Sequence, residues 1–346
     1  MPRKIKIVVD EAIPFIKGVF DPYADVVFKS GKEINRDDVA DADAIVIRTR
    51  TKCNASLLEG SKVTLIATAT IGMDHIDTEY CASRNIEVQN AAGCNAGGVM
   101  QYVFSALYGA SAHNAISLEG KKIGIIGVGN VGRKVELMAR YLGFDVLLCD
   151  PPRAMAEGPE AFVSLDYLLA NADVVTIHTP LNDSTRGMAD ASFFQKMKSG
   201  SIFINAARGE IVVDEDLMEA RPKFGAVILD TWNNEPFVNR QLLDMVDIAT
   251  PHIAGYSYQG KMNGTAMAVQ AVARRFGIYQ LYSFYPSQMP DDVPQKLDLK
   301  DKTQGQIAAT FQYNYPIFTD DFMFRMNPDD FEALRENYNY RREIYI

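Results

Sequence analysis

The chain has 346 residues, enough for two or three domains, and its 47% hydrophobic and 23% charged content is that of a globular protein. A net charge of −9 excludes the basic face that a nucleic-acid partner requires, and an anionic small molecule would need a local cluster of arginines. Cys53, Cys81, Cys94 and Cys149 are too irregularly spaced for a zinc site, a redox motif or a disulfide framework, so reduced thiols, no metal and a cytoplasmic location are expected.

The opening MPRKIKIVVDEA has basic residues and a short apolar run, but Asp10 and Glu11 follow at once. It reads as a first β-strand and not as a signal peptide. No apolar run approaches the ~18 residues of a membrane span, so no membrane partner is expected. KIKIVVD, ADAIVIR, VTLIATAT and IEVQN read as short buried strands of a parallel α/β unit without a glycine fingerprint. From Gly97 to about Ser111, GGVMQYVFSALYGAS has helical spacing and the length to cross from one half of the protein to the other.

Residues 121–150, KKIGIIGVGNVGRKVELMARYLGFDVLLCD, carry a complete dinucleotide fingerprint. An apolar strand leads into Gly127, Gly129 and Gly132, with Asn130 and Val131 between the last two. A helix, a second strand and Asp150 follow. The glycines permit a tight turn and let the backbone approach a pyrophosphate at the helix N-terminus. Asp150 stands where a carboxylate takes both ribose hydroxyls. That acid would repel a 2′-phosphate, so NAD is expected over NADP, with Arg153 nearby as the opposing charge.

Four further strand-like segments follow, ADVVTIHTP, GSIFINAARG, GAVILD and DIATPHIAG, giving about six in this half. The expected fold is α/β, with two Rossmann-like doubly wound parallel sheets and a ligand cleft between them. Residues 95–255 form the NAD domain. The substrate (lid) domain is discontinuous, 1–94 plus 256–285, because the helix from about Tyr258 to Tyr282 returns to it. After Pro286 come spaced prolines, a strand-like QIAATFQYNY, and a helix in NPDDFEALRENYNYRRE with Asn327 as its cap and Pro328 in its first turn. Some sixty residues make a marginal core, so 286–346 is expected to be a small α+β domain that forms a homodimer.

Three segments bring reactive groups to the carboxyl edge of the NAD-domain sheet: NAARG with Arg208, DTWNNEP with Glu235 and TPHIAGY with His252. Oxidation of a 2-hydroxy acid needs a cation for the carboxylate, a base for the hydroxyl proton and a partner that holds the base. Arg, His and Glu suit those roles, and histidine titrates nearest neutrality. His75, His113 and His178 are the rival bases. His113 is expected to be solvated, His75 could touch substrate, and His178, ending a strand, reads better as structural than as catalytic.

The stretches TATIGMDHID, GVGNVGR, HTPL, NAARGEIVVDEDL, LDTWNNEP and TPHIAGY together resemble the D-isomer-specific 2-hydroxyacid dehydrogenase family, and the similarity spans nearly the whole chain. The resemblance implies an NAD-dependent oxidoreductase acting on a phosphorylated 2-hydroxy acid. Arg208 and Glu235 would be active-site residues and His252 the proton donor or acceptor. Asp150, Thr179, Ala206, Asp230 and Gly255 would lie at NAD, and Thr49, Thr70 and Tyr256 at the substrate. Arg48, Arg50 and Lys52 in IRTRTK concentrate positive charge at a strand end, where alternation would put Arg48 and Arg50 on one side, so that one or both could meet a phosphate. The chain departs from the family in Asn233, where a glutamate is common, in a short stretch from Arg208 to Glu235, and in a short tail. A relative acting on phosphoglycerate or glycerate, or a catalytically silent NAD-sensing protein, are the other readings.

Overall fold

The computed structural model describes residues 4–287 and 296–346. The chain divides into two compact units. One takes the residues up to Asn95 and a second run that starts at Tyr258; the other takes Ala96–Ser257 and the described tail, 296–346.

The first unit is a five-stranded parallel sheet of β1 (Ile5–Asp10), β2 (Ala24–Lys29), β3 (Ala44–Ile47), β4 (Leu65–Thr68) and β5 (Glu87–Asn90), in the order β2-β1-β3-β4-β5. The central strands AIVI and LIAT are buried at every position, as expected of strands covered on both faces. β2 is absent from the sequence reading. It is an edge strand, ADVVFK, with only its first residue fully buried, so its apolar signal is weak. The helix Tyr258–Phe276 packs Ala268, Val269, Val272 and Ala273 into this unit's core, and a short 3-10 turn, Tyr279–Leu281, completes the expected helical stretch.

The second unit is a six-stranded parallel sheet of β6 (Lys122–Ile126), β7 (Asp145–Cys149), β8 (Val174–Ile177), β9 (Ile202–Asn205), β10 (Ala226–Leu229) and β11 (Ile248–Ala249). Its order is β11-β10-β9-β8-β6-β7. Successive strands run outward in opposite directions from β6 and β8, which makes the gap between their carboxyl ends the ligand crevice of such a sheet.

Two expectations are corrected here. The helix Ala96–His113 begins at the boundary but lies inside the second unit, packed on the fingerprint helix Asn130–Tyr141 and on the tail. Every residue from Ala96 to Ser111 is buried; an all-round apolar helix is a core helix, not a strut. The tail, in turn, is neither separate nor α+β. QIAATFQYNY is helical, within Gln304–Asn314, and is followed by helices Ile317–Met326 and Phe331–Glu336. Thr303 and Gln306 form a reciprocal capping box at the start of the first, which outweighs the strand-like composition. Asn327 precedes a 3-10 turn, Pro328–Asp330, but its side chain donates back to the Met323 carbonyl and caps nothing.

The tail helices extend the second unit's core. Phe311 stacks on Phe104 and Tyr108, with ring centroids 6.2 and 5.5 Å apart, and Phe324 meets Trp232 edge-on at 5.7 Å. Phe311→Ala is therefore expected to destabilise this unit by about 3–5 kcal/mol, the usual cost of emptying a buried aromatic site. Urea unfolding measures it; a loss below about 1 kcal/mol would show that the tail is only loosely attached.

Candidate active site

The carboxyl ends of β6, β7 and β8 carry the residues expected at the cofactor. Gly127 has φ +83°, and a Cβ there would lie 2.8 Å from the backbone of His178 and Thr179. A Cβ on Gly132 would lie 2.1 Å from the Gly127 carbonyl oxygen, while one on Gly129 would meet nothing within 4 Å. The turn is thus close-packed below and open above. Gly129 is the N-cap of the fingerprint helix, and Asn130 and Val131 are its first residues, so their amides are the free donors that bind phosphate at a helix N-terminus. Thr179 Oγ1 is buried with no hydrogen-bond partner among the described residues.

Asp150 accepts hydrogen bonds from Val128 N (2.7 Å) and Arg153 N (3.0 Å). Those bonds fix the carboxylate and leave lone pairs for ribose hydroxyls. Arg153, the charge that could have favoured a 2′-phosphate, is already engaged. Its Nε and Nη2 bond Glu157 at 2.8 and 2.5 Å, Nη1 bonds the Val128 carbonyl at 2.9 Å, and its guanidinium lies over Phe162. An open turn, an orphan hydroxyl and a fixed acid fit a dinucleotide.

The neighbouring strands β9, β10 and β11 lead into Arg208, Glu235 and His252, the groups expected to react. After β9, Asn205 accepts from Ala207 N (3.1 Å) and donates to the Arg208 carbonyl (2.8 Å), shaping the turn of Ala206, Ala207 and Arg208. A Cβ on Gly209 would fall 2.0 Å from the carbonyl carbon of Trp232, so this turn rests directly on the loop after β10. Asn233 binds that loop to the Val212 carbonyl (3.0 Å) and to Asp214 (2.7 Å). The amide thus has a defined anchoring use at the position where a glutamate was anticipated.

Glu235 accepts from Trp232 N (3.0 Å) through one oxygen, and its other oxygen lies 2.8 Å from His252 Nδ1. Burial alone would raise the Glu235 pKa. The charge and hydrogen bond of His252, the Trp232 amide and Arg335 outweigh it and hold Glu235 below the usual carboxylate range. An ionised carboxylate only accepts, so His252 carries its proton on Nδ1 and presents Nε2 as the basic nitrogen. The His252 side chain is 30% exposed. Both loops are strained: Asn234 and His252 are non-glycine residues at φ +58° and +55°, a condition that clusters at functional sites.

Asp230 sustains that strain. Its carbonyl accepts from His252 N (2.7 Å), and its carboxylate accepts from Thr250 Oγ1 (2.7 Å), Ile253 N (2.8 Å) and Ala254 N (2.9 Å). Burial raises its pKa.

The tail contributes a second layer absent from the sequence reading. Arg341, 8% exposed, donates to the carbonyls of Ile253 (3.1 Å), Tyr256 (3.2 Å), Gly98 (3.0 Å) and Ala254. Its guanidinium lies 4.0 Å from the Tyr315 ring centroid. Tyr256 packs edge-on against Tyr338 and Tyr340, and Gly255 sits within the turn closed by Tyr256 N and the Ile253 carbonyl (2.8 Å). The adjacent arginines of NYNYRRE, set among tyrosines, were the available signal.

In the first unit, Thr49 and Thr70 lie just past the ends of β3 and β4. Thr70 Oγ1 is 2.7 Å from Thr68 Oγ1. β3 ends at Ile47, so strand alternation does not govern Arg48 or Arg50. Arg48 Nε pairs with the buried Asp10 at 3.3 Å.

Residues 100–254 match the family described as D-isomer specific 2-hydroxyacid dehydrogenase, NAD binding domain. A Bacteroides thetaiotaomicron protein named erythronate-4-phosphate dehydrogenase is 42% identical, over 98% of this chain and 97% of its own. A Yersinia pestis protein of the same name is 39% identical, over 98% and 93%. The chain belongs to the D-isomer-specific 2-hydroxyacid dehydrogenases. Among solved structures, NAD-bound 3-phosphoglycerate dehydrogenase of Entamoeba histolytica superposes with a TM-score of 0.66 at 27% identity, covering 79% of this chain and 96% of that one. This family member is an NAD-dependent 2-hydroxyacid dehydrogenase.

The rival His178 differs from His252 in its surroundings. It lies 3.0 Å from Thr176 Oγ1, and burial pushes its pKa down to about 3. An unfolded histidine titrates near ~6.5, so as pH falls from there towards 3 the unfolded chain binds a proton that the native chain does not. Stability should decline across that window, and His178→Gln should flatten the decline in denaturation midpoints measured between pH 7 and 4. An unchanged slope would show that His178 protonates in the native state and would restore it as a candidate base.

Proposed function

We propose that this enzyme oxidises 4-phospho-D-erythronate at C2 to (R)-3-hydroxy-2-oxo-4-phosphooxybutanoate, as a step of pyridoxal 5′-phosphate biosynthesis, a reading supported by the name erythronate-4-phosphate dehydrogenase that its relatives carry. The 2.8 Å contact of Glu235 with His252 Nδ1 is the observation that carries the chemistry. NAD, when bound, accepts a hydride. Gly127, Gly129, Asn130, Val131, Gly132, Asp150, Thr179, Ala206, Asp230 and Gly255 are the residues that would hold it. His252 Nε2 takes the proton of the substrate hydroxyl, and Glu235 stabilises the imidazolium that results. Arg208 holds the substrate carboxylate and polarises the reacting oxygen; Thr49, Thr70, Tyr256 and Arg48 complete the substrate set. A silent NAD sensor would have no use for a strained, correctly tautomeric histidine.

His252→Ala should lose about 10²–10⁴ in turnover and keep its NAD affinity, measured by fluorescence titration. Retention of more than a tenth of the turnover would remove His252 as the base. NADH absorbance with 4-phosphoerythronate, erythronate and 3-phosphoglycerate tests the substrate. Equal kcat/KM for erythronate and its phosphate, or a preference for 3-phosphoglycerate, would sink the assignment.

The homodimer reading is supported by the helix Ile317–Met326. It exposes Phe322 by 60% and Met326 by 63%, one turn apart, a face suited to the same face of a second chain. Because the tail also completes the second unit's core, point substitution tests this better than truncation. Phe322→Asp with Met326→Asp should give folded monomers in sedimentation; a stable dimer would place the interface elsewhere. A cytoplasmic location is proposed with it, supported by four buried cysteines that form no disulfide. Among the described residues no helix is long and apolar enough to cross a membrane.

A further inference from the structure

Several arginines of this acidic chain have assigned partners. Arg48 pairs with Asp10, Arg153 with Glu157, Arg221 with Asp247, Arg325 with Asp321, and Arg341 holds backbone carbonyls. Arg335, on the last tail helix, is different. Its guanidinium lies over two rings, 5.8 Å from the centroid of Tyr256 and 5.5 Å from that of Phe331. Its Nε is buried and has no hydrogen-bond partner among the described residues. Aromatic faces attract a cation and orient its plane, but they leave its N–H donors unused.

The position is as telling as the missing partner. Tyr256 is four residues beyond His252 in the loop that Asp230 and Arg341 hold. Arg335 is also among the charges that keep Glu235 ionised, so its field reaches the His252–Glu235 pair. A half-buried guanidinium whose Nε lacks a partner, lying on Tyr256 and within electrostatic reach of Glu235, suits an anion supplied from outside the chain. Arg208 already serves the carboxylate next to the reacting carbon. The remaining anionic group of a phosphorylated 2-hydroxy acid is its phosphate, a short carbon chain further on.

We propose that Arg335 binds the substrate phosphate and selects phosphorylated over unphosphorylated 2-hydroxy acids. The proposal rests on the substrate reading above. It makes the C-terminal tail part of the substrate site, with Tyr256 as the platform that aims the guanidinium. Arginine presents paired N–H donors that match phosphate oxygens, so lysine would be an incomplete replacement.

The test compares full-length wild type, Arg335→Met and Arg335→Lys with 4-phosphoerythronate and with erythronate, using NAD affinity and circular dichroism to confirm the fold. Losing a charge-assisted phosphate contact should raise KM for 4-phosphoerythronate roughly 10- to 100-fold, while the weaker field at the Glu235–His252 pair changes kcat by the same few-fold on both substrates and leaves KM for erythronate without a comparable rise. Lys should fall between wild type and Met, and it keeps the test open should the Met variant fold poorly. A phosphate preference that survives in the Arg335 variants would overturn this proposal and leave the substrate reading intact. An equal loss of kcat/KM on both substrates would also overturn it, assigning Arg335 to the Glu235–His252 pair. A wild type indifferent to the phosphate would defeat both readings, and that result is visible before any variant is made.

Discussion

The buried carboxylate of Asp230 is the constraint on which the active site depends. A left-handed histidine costs backbone energy, and the chain keeps it because four hydrogen bonds converge on Asp230, three on its carboxylate and one on its carbonyl oxygen. His252 N, Ile253 N, Ala254 N and the Thr250 hydroxyl all bind Asp230. With its backbone held, the imidazole meets Glu235 through Nδ1, and the tautomer follows from the carboxylate's inability to donate. Asp230 is 1% exposed, so water does not compete for these bonds. One acid thus sets the loop, and a second acid sets the ring.

The tail closes the same loop from its other side. Asp230 takes the amides of residues 252–254, the first through its carbonyl and the others through its carboxyl group, while Arg341 takes the carbonyls of residues 253, 254 and 256, so donors and acceptors of one short segment are satisfied by two buried residues, one acidic and one basic. Glu343 adds a bond from Ser257 Oγ at 2.6 Å, and a Cβ on Gly97 would collide with its carboxylate. Burial raises the Glu343 pKa, against the lowering effects of Ser257, Lys134 and Arg341. A residue far along the chain therefore bears directly on the geometry of His252. Truncating the tail would unsettle the catalytic loop as well as the core.

The sequence made local chemistry legible and left long-range support hidden. The fingerprint, the buried apolar strands β3, β4, β8, β9 and β10, and the triplet Arg208, Glu235 and His252 each announce themselves within a dozen residues. β2 escaped because an edge strand buries little. QIAATFQYNY misled because its β-branched and aromatic residues face a core that a helix also supplies, and the deciding signal is the Thr303–Gln306 cap. Asp230 was marked for NAD by resemblance alone; its grip on the His252 loop depends on β10 and β11 lying side by side. Arg335 and Arg341 could not be placed, since the groups that tie them to this loop, the Tyr256 ring and the carbonyls of residues 253–256, are some eighty residues or more away in sequence.

His178 and His252 show why residue type alone could not select the proposed base. Both end strands of the same sheet, on β8 and β11. His178 meets a hydroxyl, and burial without a countercharge holds it neutral, so it cannot keep a proton near neutral pH. His252 meets an ionised carboxylate, which compensates the charge that proton uptake creates, and enough of its ring is exposed to reach a ligand. A base that must take a proton and later release it needs that compensation in place beforehand. The sheet supplies it by setting β10, which leads into Glu235, directly beside β11. Strand order, and not the histidine itself, therefore decides which imidazole can do acid–base work.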